Sequence, residues 1–203
     1  MKTWTAEQVR TFLRSVEDQR LYAMWRLYAT TGMRRGEVLA LRRADLALDD
    51  GFLMVRQSRV HGVHGWVVND PKTRAGQRRV PLDPATVAAL KAHLEAQEVV
   101  GPDDYAFDRG DGTPLDPDGV SGTFDRLSRA AKLPRIRLHD LRHTAATLML
   151  AAGTNPKVVQ ERLGHSSITM TLDLYSHVVP TLQDEAADRL ALLIDGPAEA
   201  SKP

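Results

Sequence analysis

One block of strand character constrains the fold most. Between Phe52 and Pro81 the chain runs through β-branched and apolar segments at residues 52–60, 66–68 and 79–81. His61-Gly62 and Asn69-Asp70-Pro71 supply the turn signals between them. On both sides of this block the apolar residues return every three or four positions, the spacing of one helix face. The pattern predicts a small antiparallel sheet set between helices. Thr5-Ala6-Glu7-Gln8 has the form of a capping box, so a helix is expected from Ala6, with Val9, Phe12, Leu13 and Val16 inward. A second helix is expected over residues 21–30, stopped by Gly32, and a short one over 35–42 with Val38, Leu39 and Leu41 buried. Asp83-Pro84 opens a helix to about residue 98. Residues 101–118 read as a surface loop with one buried segment at 105–107. Further helices are expected over 117–131, 138–152, 156–163 and 167–175.

Composition limits the chemistry. The 203 residues are 42% hydrophobic and 26% charged, and none is cysteine, which excludes a disulfide framework, a thiolate metal site and a cysteine nucleophile. No apolar stretch reaches the ~18 residues of a membrane span, and the opening residues lack a signal peptide's apolar run, so a cytoplasmic protein is expected. The formal net charge is only +1, but it is segregated. Residues after Pro180 carry five acids against two bases, which leaves +4 on residues 1–180. Lys72, Arg74, Arg78 and Arg79 form one basic cluster, and Arg126, Arg129, Lys132, Arg135, Arg137 and Arg142 form another. Clusters of this kind are most often solvated faces, so their meaning depends on the chemistry around them.

His139-Asp140-Leu141-Arg142 sits where a helix begins, and its three-residue spacing lets an imidazole and a guanidinium converge on one phosphate. An exposed helix start explains it equally well. His139 and His143 are four apart, a zinc spacing, but without the glutamate of the metalloprotease pattern or an obvious third ligand. His61 and His64 flank glycines and read as turn residues. Thr31-Gly32-Met33-Arg34-Arg35-Gly36-Glu37 places Arg34 for phosphate capture steadied by Glu37, or else forms a surface ion pair worth ~0.5 kcal/mol. Leu163-Gly164-His165 and, ten residues beyond His165, Tyr175 complete the set.

The strings TGMRRGEVLAL, PKTRAGQRRVPL, LHDLRHTAAT and LGHSSITMTLDLYSH resemble, in order and spacing, the successive boxes of the tyrosine recombinase (phage integrase) family. The resemblance spans nearly the whole chain. It implies an α+β, mainly helical catalytic-domain fold with a small antiparallel β-sheet. It also implies that Arg34 and Arg142 clamp phosphate, Lys72 is the sheet-borne lysine, His139 and His165 are the histidine pair, and Tyr175 is the nucleophile. Arg74, Arg78, Arg79, Arg126, Arg129 and Arg137 become the expected DNA-backbone contacts.

The implied reaction cuts and rejoins double-stranded DNA through a 3′-phosphotyrosine, with neither metal nor other cofactor. A phenol with pKa ~10 is about one part in a thousand ionised at neutral pH, a deficit of ~4 kcal/mol that His139 and the cations must offset. Each charge-assisted bond from Arg34, Arg142 or His165 contributes ~1.5–3 kcal/mol. Lys72 is the expected acid for the departing sugar oxygen. A non-cleaving DNA-binding remnant and a topoisomerase-like relaxing activity are the rival readings.

Residues 1–180 are expected to form the catalytic domain and residues 181–203 an amphipathic tail helix with a disordered end. The family's amino-terminal core-binding domain is expected to be absent from the chain. The tail is expected to link protomers into a tetramer on DNA, with a monomer in its absence.

Overall fold

A computed structural model describes residues 2–63, 65–69, 77–97, 101–165, 167, 190 and 193–194. The expected helix over 167–175, the tail helix, Lys72, Arg74 and Tyr175 lie outside the described residues or almost wholly so.

The chain enters the core before its first helix. Trp4 is buried, donates from its indole to the Pro134 carbonyl at 2.8 Å, and stacks with Phe12 and Phe124 at 5.4 and 5.5 Å between ring centroids. Helix α1, Ala6–Ser15, starts at the expected capping box, where the Thr5 hydroxyl accepts from the Gln8 amide and the Gln8 side chain accepts from the Thr5 amide. Helix α2, Tyr22–Thr31, buries most of its residues, Trp25 and Leu27 among them. Burying aromatic groups of this size stabilises the fold by ~3–5 kcal/mol each, judged by what their removal costs.

Helix α3, Arg35–Ala40, is short, and Val38, Leu39 and Leu41 are buried as expected. A 3-10 turn at Arg43–Asp45 leads into the β region. The strands differ from the expectation in forming two sheets rather than one, with a short strand ahead of the expected block. Residues 52–60 do not form one strand but two, β2 (Phe52–Val55) and β3 (Ser58–Gly62). Strand β2 pairs antiparallel with β1 (Leu46–Ala47) on one side and with β5 (Arg78–Pro81) on the other. Strand β3 forms a separate hairpin with β4 (Gly65–Asn69). Burial explains the break. Leu53 and Val55 are fully inward, whereas in the β3–β4 hairpin Val60 and Val67 stay 38% and 40% exposed.

Helix α4, Pro84–Glu95, begins at the Asp83 cap, and α5, Pro117–Ala130, at the Asp116 cap, each with proline in the first turn. Between them Ala106 and Phe107 form the expected buried segment. Helices α6, Asp140–Ala151, and α7, Pro156–Leu163, complete the described structure. Among the described residues no helix is long and apolar enough to cross a membrane.

The junction of α2 with α6 and α7 sets the site. Gly32 caps α2 in the left-handed region at φ 65°, and a Cβ there would meet Leu163 Cδ2 at 2.6 Å and Ala145 Cβ at 3.2 Å. Only glycine combines that conformation with that approach. The close packing brings the chain just after α2, which carries Arg34, against the end of α7.

Candidate active site

Arg34 follows the Gly32 turn at the N-terminus of α3. Its guanidinium donates to Glu37 Oε1 at 2.8 Å and to the Gly164 carbonyl at 2.9 Å, while its amide donates to Glu37 Oε2 at 2.8 Å. The side chain is 40% exposed. Arg142 comes from the first turn of α6 and is only 4% exposed. It donates to the carbonyls of Gly32 and Leu163, both at 2.8 Å. No carboxylate forms an ion pair with it among the described residues.

Glu37 is the carboxylate of the cluster. Beyond Arg34 it takes a two-pronged bond from Arg78, at 3.0 and 2.8 Å. Burial alone would raise its pKa, but the Arg78 bonds, Arg78's charge and then Arg34 outweigh that and hold it below the usual carboxylate range. Two guanidinium groups thus share one carboxylate whose charge the Arg142 guanidinium also feels, so among the described residues positive charge exceeds negative in this cluster. Burial first, and then the Arg34 charge, push Arg142 down to about 9. A buried cation without a paired anion is costly, and an incoming phosphate removes that cost.

Two histidines complete the constellation. His165 follows the left-handed Gly164 cap of α7 and is 6% exposed. Burial, then Arg142 and Arg34, push its pKa down to about 4, so it is a neutral imidazole at physiological pH. His139 is the N-cap residue of α6, and its pKa is lowered by burial, then by His143 and Arg142. These surroundings favour its neutral form, which can accept a proton. The His139 and His143 rings meet edge to face at 5.2 Å. Among the described residues no group of three or more His, Cys, Asp or Glu gathers as a metal shell.

The structure therefore brings Arg34, Arg142 and His165 together at the end of α7, with His139 one turn before Arg142 at the start of α6. Lys72 and Tyr175 fall outside the described residues. Of the expected DNA contacts, Arg79 and Arg126 are exposed, Arg79 lying over the Phe52 ring at 4.1 Å. Arg129 pairs with Asp125 and Arg137 with Asp140, both near the surface. Arg74 lies outside the described residues.

Arg78 stands apart from the other expected contacts. It is buried, its fork donates to Glu37, and its Nε donates to the Arg162 carbonyl at 2.8 Å. The signal was in the strand period: Val80 must face the core, and a residue two positions earlier shares its face while Arg79 takes the other. Glu37 was noticed in the sequence only as a support for Arg34. Its pairing with Arg78, across 41 positions, could not be read from local spacing.

A mainly helical α+β domain carrying this arginine–histidine cluster has the architecture of tyrosine recombinase catalytic domains. The chain belongs to the phage integrase family, whose model matches residues 2–181. It is 34% identical to the ICEBs1 integrase of Bacillus subtilis, over 94% of this chain and 54% of that protein. It is 29% identical to a tyrosine recombinase XerC-like protein of Caldanaerobacter subterraneus, again over 94% and 54%. The chain thus spans about half the length of the curated relatives it matches. Among solved structures, it resembles the Tn1549 transposon integrase in complex with circular intermediate DNA, with a TM-score of 0.82 and 27% identity over 94% of this chain and 67% of that one. The XerA recombinase shares the fold at a TM-score of 0.74 and 24% identity, over 97% of this chain and 64% of that one.

Proposed function

We propose that this chain is the catalytic part of a site-specific DNA recombinase that cuts and rejoins duplex DNA. The observation that carries the reading is the excess, among the described residues, of positive charge around Glu37, with Arg142 held by carbonyls and, among those residues, without a carboxylate of its own. Such a pocket matches a phosphodiester, whose non-bridging oxygens accept from Arg34, Arg142 and the neutral His165. Charge grows on those oxygens as the phosphorus becomes five-coordinate. Donors fixed in advance then stabilise the transition state more than the ground state.

In the proposed reaction the Tyr175 hydroxyl attacks phosphorus in line and gives its proton to His139, the P–O5′ bond breaks, and Lys72 protonates the departing 5′-oxygen. The products are a 3′-phosphotyrosine and a free 5′-hydroxyl. Reversal by another strand's 5′-hydroxyl rejoins the DNA, so the ester conserves the bond energy. Exposed Arg79, Arg126 and Arg137 supply backbone contacts that weaken with salt. Residues 1–180 act as the catalytic domain, and the segment after Pro180 links protomers on DNA into a tetramer.

A duplex nicked close to the cleavage site lets the short 5′-strand diffuse away and traps the intermediate. The wild-type chain is expected to form a covalent protein–DNA adduct there and Tyr175→Phe none. An adduct formed by Tyr175→Phe at the wild-type rate would refute the assignment.

A further inference from the structure

We infer that Arg78 is a positioning residue of the phosphate site, which aims Arg34 and fixes the end of α7 without touching DNA. The inference rests on the proposed function and deepens it. Three consecutive carbonyls at the end of α7 each accept from a different arginine: Arg162 O from Arg78, Leu163 O from Arg142, and Gly164 O from Arg34, at 2.8, 2.8 and 2.9 Å. These carbonyls have no partner within the helix and form the negative end of its dipole, so cations suit them. The three donors come from β5, from α6 and from the turn before α3. The helix end is therefore the common reference against which both phosphate-clamping residues are set, and His165 is the next residue along.

Arg78 differs from the other two. Its side chain is 7% exposed, and both terminal nitrogens donate to Glu37. Arg34 shares that carboxylate. Arg78 also packs so closely on the left-handed Gly164 that a Cβ there would lie 2.8 Å from its Nη1. It occupies the first position of β5, so one residue ties the sheet, α3 and the α7 end into a single frame. With Arg78 removed, Glu37 loses its strongest partner and is left to neutralise Arg34 and Arg142 in the place where phosphate should sit. The clamp would then be misaimed and partly quenched, and misplacements of about 1 Å cost on the order of a hundredfold in rate.

The test compares wild type with R78Q and R78K on three readouts: the salt dependence of duplex affinity, the single-turnover rate of adduct formation on the nicked duplex, and the rise in melting temperature on adding inorganic phosphate. Lysine keeps the charge but cannot bridge both Glu37 oxygens and the Arg162 carbonyl together, so R78K decides the matter if R78Q does not fold.

The expected result is an unchanged salt slope, an adduct rate at saturating DNA lowered about a hundredfold in R78Q and less in R78K, and a smaller phosphate-dependent rise in both. A salt slope reduced by about 0.9, the value of one lost phosphate contact, with an unchanged rate once bound, would overturn the inference and make Arg78 a DNA contact. A wild type that never forms the adduct would refute the proposed function instead. The phosphate-dependent melting would then decide Arg78 alone, since a rise retained in both variants contradicts the positioning role.

Discussion

Replacing Glu37 with glutamine keeps shape and one carbonyl oxygen but removes the negative charge at the centre of the cluster. Glu37 is 5% exposed at its side chain and takes bonds from Arg34 and Arg78 at 2.8–3.0 Å. Removing one partner of a buried ion pair typically costs ~3–5 kcal/mol, because the remaining charge is stranded. Glutamine still accepts one bond from each side, and Arg34 is partly solvated, so the expected loss is ~3 kcal/mol. For a chain of this size that corresponds to a melting temperature lower by roughly 6–12 °C. The same reasoning fixes the effect of anions. If the excess charge is what destabilises the variant, phosphate in the pocket should restore a larger share of stability in Glu37→Gln than in wild type. Thermal and urea unfolding with and without phosphate measures both numbers. A loss below ~0.5 kcal/mol, or equal stabilisation of the two proteins by phosphate, would refute the electrostatic account of the cluster.

Acid should weaken the fold through the same residues. His165 is pushed from 6.5 down to about 4 in the folded chain, so the unfolded chain binds its proton first as pH falls. Stability is complete above about 6.5 and declines from there towards 4, by up to ~3 kcal/mol. His165→Gln should make the decline in melting temperature across that range shallower, and an unchanged slope would assign the acid sensitivity to other groups. Gly32→Ala should cost ~2–4 kcal/mol in urea unfolding, from the left-handed backbone at φ 65° and the 2.6 Å approach to Leu163, and a change within ~0.5 kcal/mol would contradict the tight α2–α7 junction. Arg79→Ala should leave stability within ~0.5 kcal/mol and reduce the salt slope of DNA binding by about 0.9, whereas an unchanged slope would remove Arg79 from the interface.

Local chemistry made much of the fold legible. Thr5, Asp83, Asp116 and Asn155 each cap a helix that begins at the next residue, and Gly32 and Gly164 end helices in left-handed conformations. These signals act within one turn of chain and survive into the structure. The sheet was less legible. The break at Arg56-Gln57, which separates β2 from β3, follows from which element covers each half, and β1 has only two residues to announce it. In the candidate site, motif order singled out Arg34, His139, Arg142 and His165. What holds them in place was not: Arg78 on Glu37 and the three arginines on the α7 end are contacts across 21 to 130 positions. The basic cluster, read with the family resemblance, made Arg78 an expected DNA contact, and the strand's inward phase buries it against Glu37.

The central claim is that the arginine–histidine cluster holds a DNA phosphate for attack by Tyr175. Its most direct measurement is mass analysis of the protein after reaction with a nicked duplex. The account predicts a DNA strand joined through its 3′-phosphate to the peptide containing Tyr175, lost when Arg142 is replaced by alanine in a protein that still melts cooperatively. A strand attached to another residue, or undiminished attachment in Arg142→Ala, would contradict it.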